Sequence, residues 1–273
     1  PRAWTVSYRL PLNFPSTGGA AMARIIALAN QKGGVGKTTT AVNLAACMAL
    51  AGKKTLLLDM DPQGNATQGV GVDKNAIEAG VYDALCGDVP LASARVETFI
   101  NKLHLVPSNR ELVGAEVELV DVPRREYRLR ETLEPLATSY DYVFMDCPPS
   151  LSLLTLNALV AADSVMITLQ AEYYALEGLS ELLQTIMKVR DNLNPSLFVH
   201  GVLVTMFQHT NLSKQVLDDV RTHLGDKVYN TVIPRNVTVS EAPSFGQPVV
   251  LYDPKSNGAR AYQDLAKEVA KRG

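Results

Sequence analysis

Three cysteines, Cys47, Cys86 and Cys147, are all that 273 residues contain, an odd number with no C-x-x-C spacing. That excludes a disulfide framework and a paired-thiolate zinc site, and it points to a reduced, intracellular chain. No run of about 18 apolar residues occurs, so no transmembrane helix is expected. Net charge is scarce as well: 26 Lys and Arg against 28 Asp and Glu leave −2. Such a balance argues against a protein that coats a polyanion with its whole surface, while leaving room for a local basic patch. The four histidines, His104, His200, His209 and His223, have no ligand spacing. No internal repeat and no linker interrupts the chain. Residues 1–21 hold three prolines and the only tryptophan, Trp4. They lack the long apolar core and the clustered charge of a secretory leader. They read as a flexible extension ahead of Met22.

What is present is a globular composition, 47% hydrophobic and 20% charged. Apolar runs at 25–29, 55–61, 103–107, 142–146, 164–169, 199–205 and 228–233 predict strands. Helical periodicity at 38–51, 124–138, 151–161, 176–192, 212–224 and 258–271 predicts the segments between them. Strands without polar alternation, separated by helices, argue a mostly parallel sheet covered on both faces. The expectation is one doubly wound α/β domain over 22–273, of the phosphate-loop NTPase kind. Ligands of such sheets bind beyond the carboxyl ends of the strands. The polar motifs directly follow predicted strands.

After the first apolar run comes "NQKGGVGKTTT", Asn30 to Thr40. It nearly fits the phosphate-loop pattern G-x-x-x-x-G-K-[ST], but Gln31 stands where the first glycine belongs, and an extra lysine, Lys32, precedes Lys37. Glycines let successive N–H groups turn inward on phosphate oxygens, and the following helix adds its positive end. Gly33, Gly34, Val35, Gly36, Lys37, Thr38 and Thr39 are therefore the nucleotide-binding candidates, and what the extra Lys32 touches is left open by the pattern. Lys37 is expected to bridge the β- and γ-phosphates and the Thr38 hydroxyl to ligate Mg²⁺. The second strand runs into "DMDPQGN". Asp59 and Asp61, two apart on a strand, would face one way, and a carboxylate pair beside a phosphate loop suits magnesium and water. The alternative for Asp61 is a cap on the turn made by Pro62 and Gly64. Asp146 closes "YVFMD" as a Walker B aspartate that reaches Mg²⁺. Cys147, with no histidine beside it in sequence, reads as a packing residue.

Together, "KGGVGKTTT", "DMDPQGN" and "DCPPS", with "MFQHTNLSKQV", "IPRNVTVSEAPS" and "YDPKSNGARAY" further on, resemble the ParA/Soj group of deviant Walker A ATPases over residues 24–269. The early motifs are shared with the wider superfamily that includes MinD. The later ones are similar to the chromosome- and plasmid-partitioning branch. The resemblance implies an ATPase with ATP and Mg²⁺ as cofactors and an ATP-bound sandwich homodimer. It implies that Lys32 crosses the dimer interface to the phosphates of the partner's ATP, which suits the charge of two nucleotides face to face. It implies that Asp61 orients the attacking water, that Asp59 supports the magnesium shell, and that Pro234, Arg235 and Asn236 lie against adenine together with Met206. It further implies a cytoplasmic, nucleoid-associated protein that binds double-stranded DNA without sequence preference. Release would follow when a ParB-like partner stimulates a weak intrinsic hydrolysis.

The sequence departs from that pattern in two places, since His209 and Thr238 stand where relatives often carry arginine. From residue 205 to 273, nine Lys and Arg meet seven Asp and Glu, a weak basic surplus. Lys214, Arg221, Lys227, Arg235, Lys255 and Arg260 are the DNA-binding candidates, with solvated helix faces as their alternative. Beyond Leu265 the last helix has only Val269 and two alanines as apolar groups. That is unlike the amphipathic membrane anchor of MinD-like proteins, so no membrane contact is expected. Two other readings share the motifs: a ParA-like ATPase that positions a protein assembly, and a nucleotide-dependent scaffold. Metal-cluster carriers and nitrogenase-like reductases share the loop but need paired cysteines.

Overall fold

A strand that is apolar at every position must be covered on both sides, and the central strands are. The computed structural model describes residues 23–87, 89–172 and 175–272; the extension expected at 1–21 lies outside the described residues. The first half contains β1 (Arg24–Ala29), α1 (Lys37–Leu50), β2 (Thr55–Asp59), α2 (Asn65–Gly69), α3 (Val81–Cys86), β3 (Val96–Glu97), β4 (Leu103–Val106), α4 (Leu112–Glu118) and α5 (Arg128–Ala137). Then follow β5 (Tyr142–Asp146), α6 (Leu153–Ala161), β6 (Ser164–Gln170), α7 (Ala175–Asn192), β7 (Phe198–Thr205), α8 (Asn211–Leu224), α9 (Val237–Glu241), α10 (Val249–Tyr252) and α11 (Asn257–Arg272).

Seven strands form one sheet in the order β3-β4-β2-β5-β1-β6-β7, with β3–β4 its antiparallel pair. Successive strand residues feed opposite layers. Ala27, Ala29, Leu58, Val143 and Met145 join one core with α5, α6 and α7, while Ile26, Leu28, Leu57 and Phe144 join another with α1 and α11. Helix α1 buries twelve of its fourteen residues, so it is covered on its outer side too. Asn43 fixes that outer packing by accepting the Val249 amide at 2.7 Å. The apolar face of α11, with Tyr262, Leu265 and Val269, is spent in the same core. Among the described residues no helix is long and apolar enough to cross a membrane.

Strand β1 lies between β5 and β6; the chain leaves it for β2 on one side and returns to β6 on the other. The crevice beyond its carboxyl end is thus the topological switch point, where ligands of such sheets bind. Three expectations need correction. The segment 228–233 is no strand: it makes a single bridge, Val202 to Val228, and Pro234 just past it makes another, to Phe207. Between them Glu268 takes the amides of Asn230 and Thr231 at 2.8 and 2.9 Å, which draws the backbone off a ladder. Strand β2 ends at Asp59, short of Asp61. The helix expected from 124 is preceded by a 3-10 turn at Arg125–Tyr127, because Arg124 takes a left-handed φ of +57°.

Candidate functional site

The loop between β1 and α1 curls because Gly34 and Gly36 take φ of +73° and +81°, values that L side chains avoid. Gln31 is not among the positive-φ residues, so its position makes no demand for glycine. Two strand-end side chains anchor the loop. Asn30 donates Nδ2 to the Thr168 carbonyl at 2.6 Å and accepts the Lys32 amide at 2.9 Å. Thr205 donates its hydroxyl to the Val35 carbonyl at 2.9 Å. The two lysines aim apart. Lys37 is buried and donates to the Lys32 carbonyl at 3.1 Å; burial holds its pKa below the ordinary lysine range, against the pull of Asp146. Lys32 stands outside, 2.5 Å from Glu172 just past β6, with the two side chains 54% and 47% exposed.

The β2–β5 register sets Asp59 beside Asp146. Both are fully buried. Asp59 accepts the Thr67 amide and hydroxyl at 2.7 and 2.8 Å and the Asp61 amide at 3.2 Å. Burial still pushes its carboxyl up to about 7. Neither oxygen of Asp146 has a hydrogen-bond partner among the described residues. Burial, and then the charge of Asp59, holds it well above the usual carboxylate range, with the Thr38 hydroxyl facing it. A buried, unpartnered carboxylate next to a second one and a hydroxyl fits a hard cation. Among the described residues no group of three or more His, Cys, Asp or Glu forms a metal cage, so phosphate oxygens and water would have to complete the shell.

Asp61 lies in the loop beyond β2, so the same-face argument from strand geometry does not apply to it. It is nonetheless nearly buried, and its Oδ1 accepts the Gln63 amide at 2.9 Å. The turn-capping role and a place beside Lys37 therefore hold together.

At the end of β7, Met206 takes φ of +49°, and Phe207 exchanges backbone hydrogen bonds with Ile233 and Arg235 at 2.9 and 3.0 Å. Met206, Pro234 and Arg235 are thereby brought to one side of the loop that Thr205 touches. The Asn236 side chain instead caps α9, accepting the Val239 amide at 3.2 Å. The basic candidates are all exposed: Lys214 and Arg221 on α8, Lys227 after it, Arg235, Lys255 before α11 and Arg260 within it. None of them has a carboxylate within ion-pair distance among the described residues. Their spread over several elements leaves no single basic helix. His209 lies edge-on to Phe207, 5.5 Å between ring centres, and Thr238 is in the first turn of α9.

A family model described as an AAA domain matches residues 23–199. The sporulation initiation inhibitor protein Soj of Bacillus subtilis is 55% identical over 253 residues, 92% of this chain and 100% of that protein. The chain belongs to the ParA/Soj family. The chromosome partitioning protein ParA of Myxococcus xanthus, also of this family, is 54% identical over 256 residues, 93% of this chain and 90% of its own. Among solved structures, a cobyrinic acid a,c-diamide synthase from Mycobacterium smegmatis with bound ADP and magnesium superposes with a TM-score of 0.79 at 39% identity. That match covers 90% of this chain and 93% of the other. The ParA/Soj assignment makes the chain a partitioning-type ATPase.

Sequence reasoning did not find Asn30, Thr205 or Glu172. Their only signal is a polar residue at the end of an apolar run.

Proposed function

We propose that residues 22–273 form an ATP-switched segregation ATPase. It binds Mg²⁺–ATP in the crevice beyond β1, closes as a face-to-face homodimer, and holds duplex DNA without sequence preference. A ParB-like partner stimulates its weak hydrolysis and releases it, in the cytoplasm and on the nucleoid. The observation that carries this reading is the opposite aim of the two loop lysines. A single-subunit pocket needs only the inward Lys37; the outward Lys32 is useful only to a second nucleotide.

In this scheme the loop amides from Gly33 to Thr39 and the Lys37 ammonium hold the phosphates. Lys32 exchanges Glu172 for the partner's phosphates. Thr38 and Asp146 would hold magnesium, with Asp59 beside them; the ion, when bound, neutralises charge on the β- and γ-phosphates. Asp61, fixed by its bond to the Gln63 amide, orients the attacking water. Met206, Pro234 and Arg235 flank adenine, and Asn236 contributes by capping the helix behind them. Lys214, Arg221, Lys227, Lys255 and Arg260 offset DNA phosphates.

Sedimentation with ADP, ATP and random duplex DNA tests this. Asp61→Ala should lower turnover by about 10²–10⁴-fold while dimerising with ATP. That dimer should stay on DNA at low salt. A dimer that forms and never retains DNA rejects the DNA track and leaves a protein surface as the track instead.

A further inference from the structure

The loop that carries Asp61 runs between the ends of two other strands. Strand β2 lies between β4 and β5, and its final register pairs are Leu58 with Val106 and Asp59 with Asp146. Beyond them the loop keeps touching both neighbours. On the β5 side the Met60 amide donates to the Asp146 carbonyl at 2.9 Å. On the β4 side Ser108, two residues past that strand, donates its hydroxyl to the Asp61 carbonyl at 2.9 Å. Ser108 is 1% exposed, so water has no access to replace that bond.

Ser108 is itself held in place. Its amide donates to the Thr67 hydroxyl at 3.0 Å, and that hydroxyl donates to Asp59 at 2.8 Å. Just before it, the Pro107 carbonyl accepts the Val81 amide at 2.9 Å. Gly64 permits the approach of the two backbones, since a Cβ there would stand 2.6 Å from the Ser108 carbonyl oxygen. Both peptide planes at Asp61 are thereby fixed. Its N–H donates to Asp59 Oδ1 at 3.2 Å. Its carbonyl oxygen accepts the Gly64 amide at 2.9 Å as well as the Ser108 hydroxyl. With the planes on either side of its Cα set, the direction of its Cα–Cβ bond is set too. The Gln63 amide then holds one carboxylate oxygen at 2.9 Å.

We propose that Ser108 is a positioning residue for ATP hydrolysis: by fixing the Asp61–Pro62 peptide, its hydroxyl sets the direction in which the Asp61 carboxylate faces the attacking water. This rests on the water-orienting role proposed above for Asp61. The Gly64 amide comes from within the same turn and only closes it. The Ser108 hydroxyl comes from beyond another strand and ties the turn to the sheet. Hydrolysis is sensitive to such a tie, since a displacement of about 1 Å at a reacting centre can cost roughly 10²-fold in rate. Removing the hydroxyl orphans no buried group, because the Asp61 carbonyl keeps the Gly64 amide and the Ser108 amide keeps Thr67. Ser108→Ala should therefore fold like the wild type.

Steady-state turnover of the full chain as wild type, Ser108→Ala, Asp61→Ala and the double variant tests this. Ser108→Ala should lower kcat about three- to tenfold, the worth of one net hydrogen bond, with KM for ATP and ATP-driven dimerisation unchanged. Because Ser108 acts through Asp61, adding Ser108→Ala to Asp61→Ala should slow the chain by less than about twofold more. Hydrogen exchange without nucleotide reads the tie independently of turnover. In Ser108→Ala the amides of 61–65 should exchange faster, and those of β4 should not. Losses that multiply in full in the double variant, a raised KM in place of a lowered kcat, or unchanged exchange at 61–65 overturns the positioning role. A slow Asp61→Ala beside a Ser108→Ala of wild-type rate overturns the Ser108 role alone. An Asp61→Ala that turns over like wild type rejects the water-orienting reading, and the Ser108 role falls with it.

Discussion

Asp146 sits inside the protein with both oxygens unpaired and Asp59 alongside, an arrangement that opposes folding when nothing positive is bound. Asp146→Asn should therefore stabilise the metal-free chain at neutral pH by about 1–3 kcal/mol, the cost of an unsatisfied buried group, while abolishing magnesium-dependent nucleotide binding. The same pair sets a pH dependence. Burial raises both folded-state values, that of Asp59 to about 7, above the roughly 3.9 of an unfolded aspartate. The folded state therefore holds protons that the unfolded state releases. Their contribution to stability is fullest below about pH 4 and is lost as pH rises through about 7. Urea midpoints measured without metal from acid to neutral pH should fall more steeply for wild type than for Asp146→Asn; equal slopes would place the burden on other groups. The two lysines should separate in a different assay. Lys37→Ala should weaken ATP binding in the monomer. Lys32→Ala should leave that binding nearly intact and abolish ATP-driven dimerisation, and a variant that dimerises like wild type would refute the cross-subunit role.

At the scale of elements, α9 meets α11 at a position with no room for a methyl group. A Cβ on Gly258 would stand 2.2 Å from Val239 Cγ2. Gly258→Ala should cost about 1–3 kcal/mol by overpacking, and Val239→Ala in the same chain should restore part of it; calorimetry of the three variants reads both effects. The elements that sequence alone revealed were apolar strands, even one as short as β4, and the longer helices. Strands β1, β2, β4, β5, β6 and β7 stand out as apolar runs, and α1, α5, α6, α7, α8 and α11 last long enough to show a period. Helices α2, α3, α4, α9 and α10 have seven residues or fewer, too short for periodicity to register. The apolar residues of 228–233 looked like a strand because burial alone was legible; the pull of Glu268 was not. The site divides in the same way. Loop and carboxylate motifs are contiguous, so residue types betray them. The Thr205 contact with Val35 and the Lys32 contact with Glu172 span 170 and 140 residues, and only the folded sheet brings them together.

For the whole molecule, the DNA binding proposed above has to be carried by a chain of net charge −2. Exposed cations on α8 and around α11, doubled in a dimer, are the means proposed. Lys255→Glu with Arg260→Glu should lower DNA affinity for all sequences alike and leave ATP-driven dimerisation unchanged. Log affinity against log salt should fall with a shallow slope of about −0.9 per phosphate neutralised, to be read from binding titrations at several salt concentrations. The pair between Lys32 and Glu172 bears on how fast such a molecule can switch. With both side chains about half exposed, the pair falls in the class worth about 0.2–1 kcal/mol. On a two-state count the ammonium is then at liberty for roughly one sixth to two fifths of the time. Glu172 is then a resting place and not a lock: it keeps the lysine from straying, yet in the dimer proposed above two subunits that meet would find it available within a few encounters. Glu172→Gln should accordingly change the association rate less than about fivefold, so the tempo of the cycle is left to hydrolysis and to whatever hastens it.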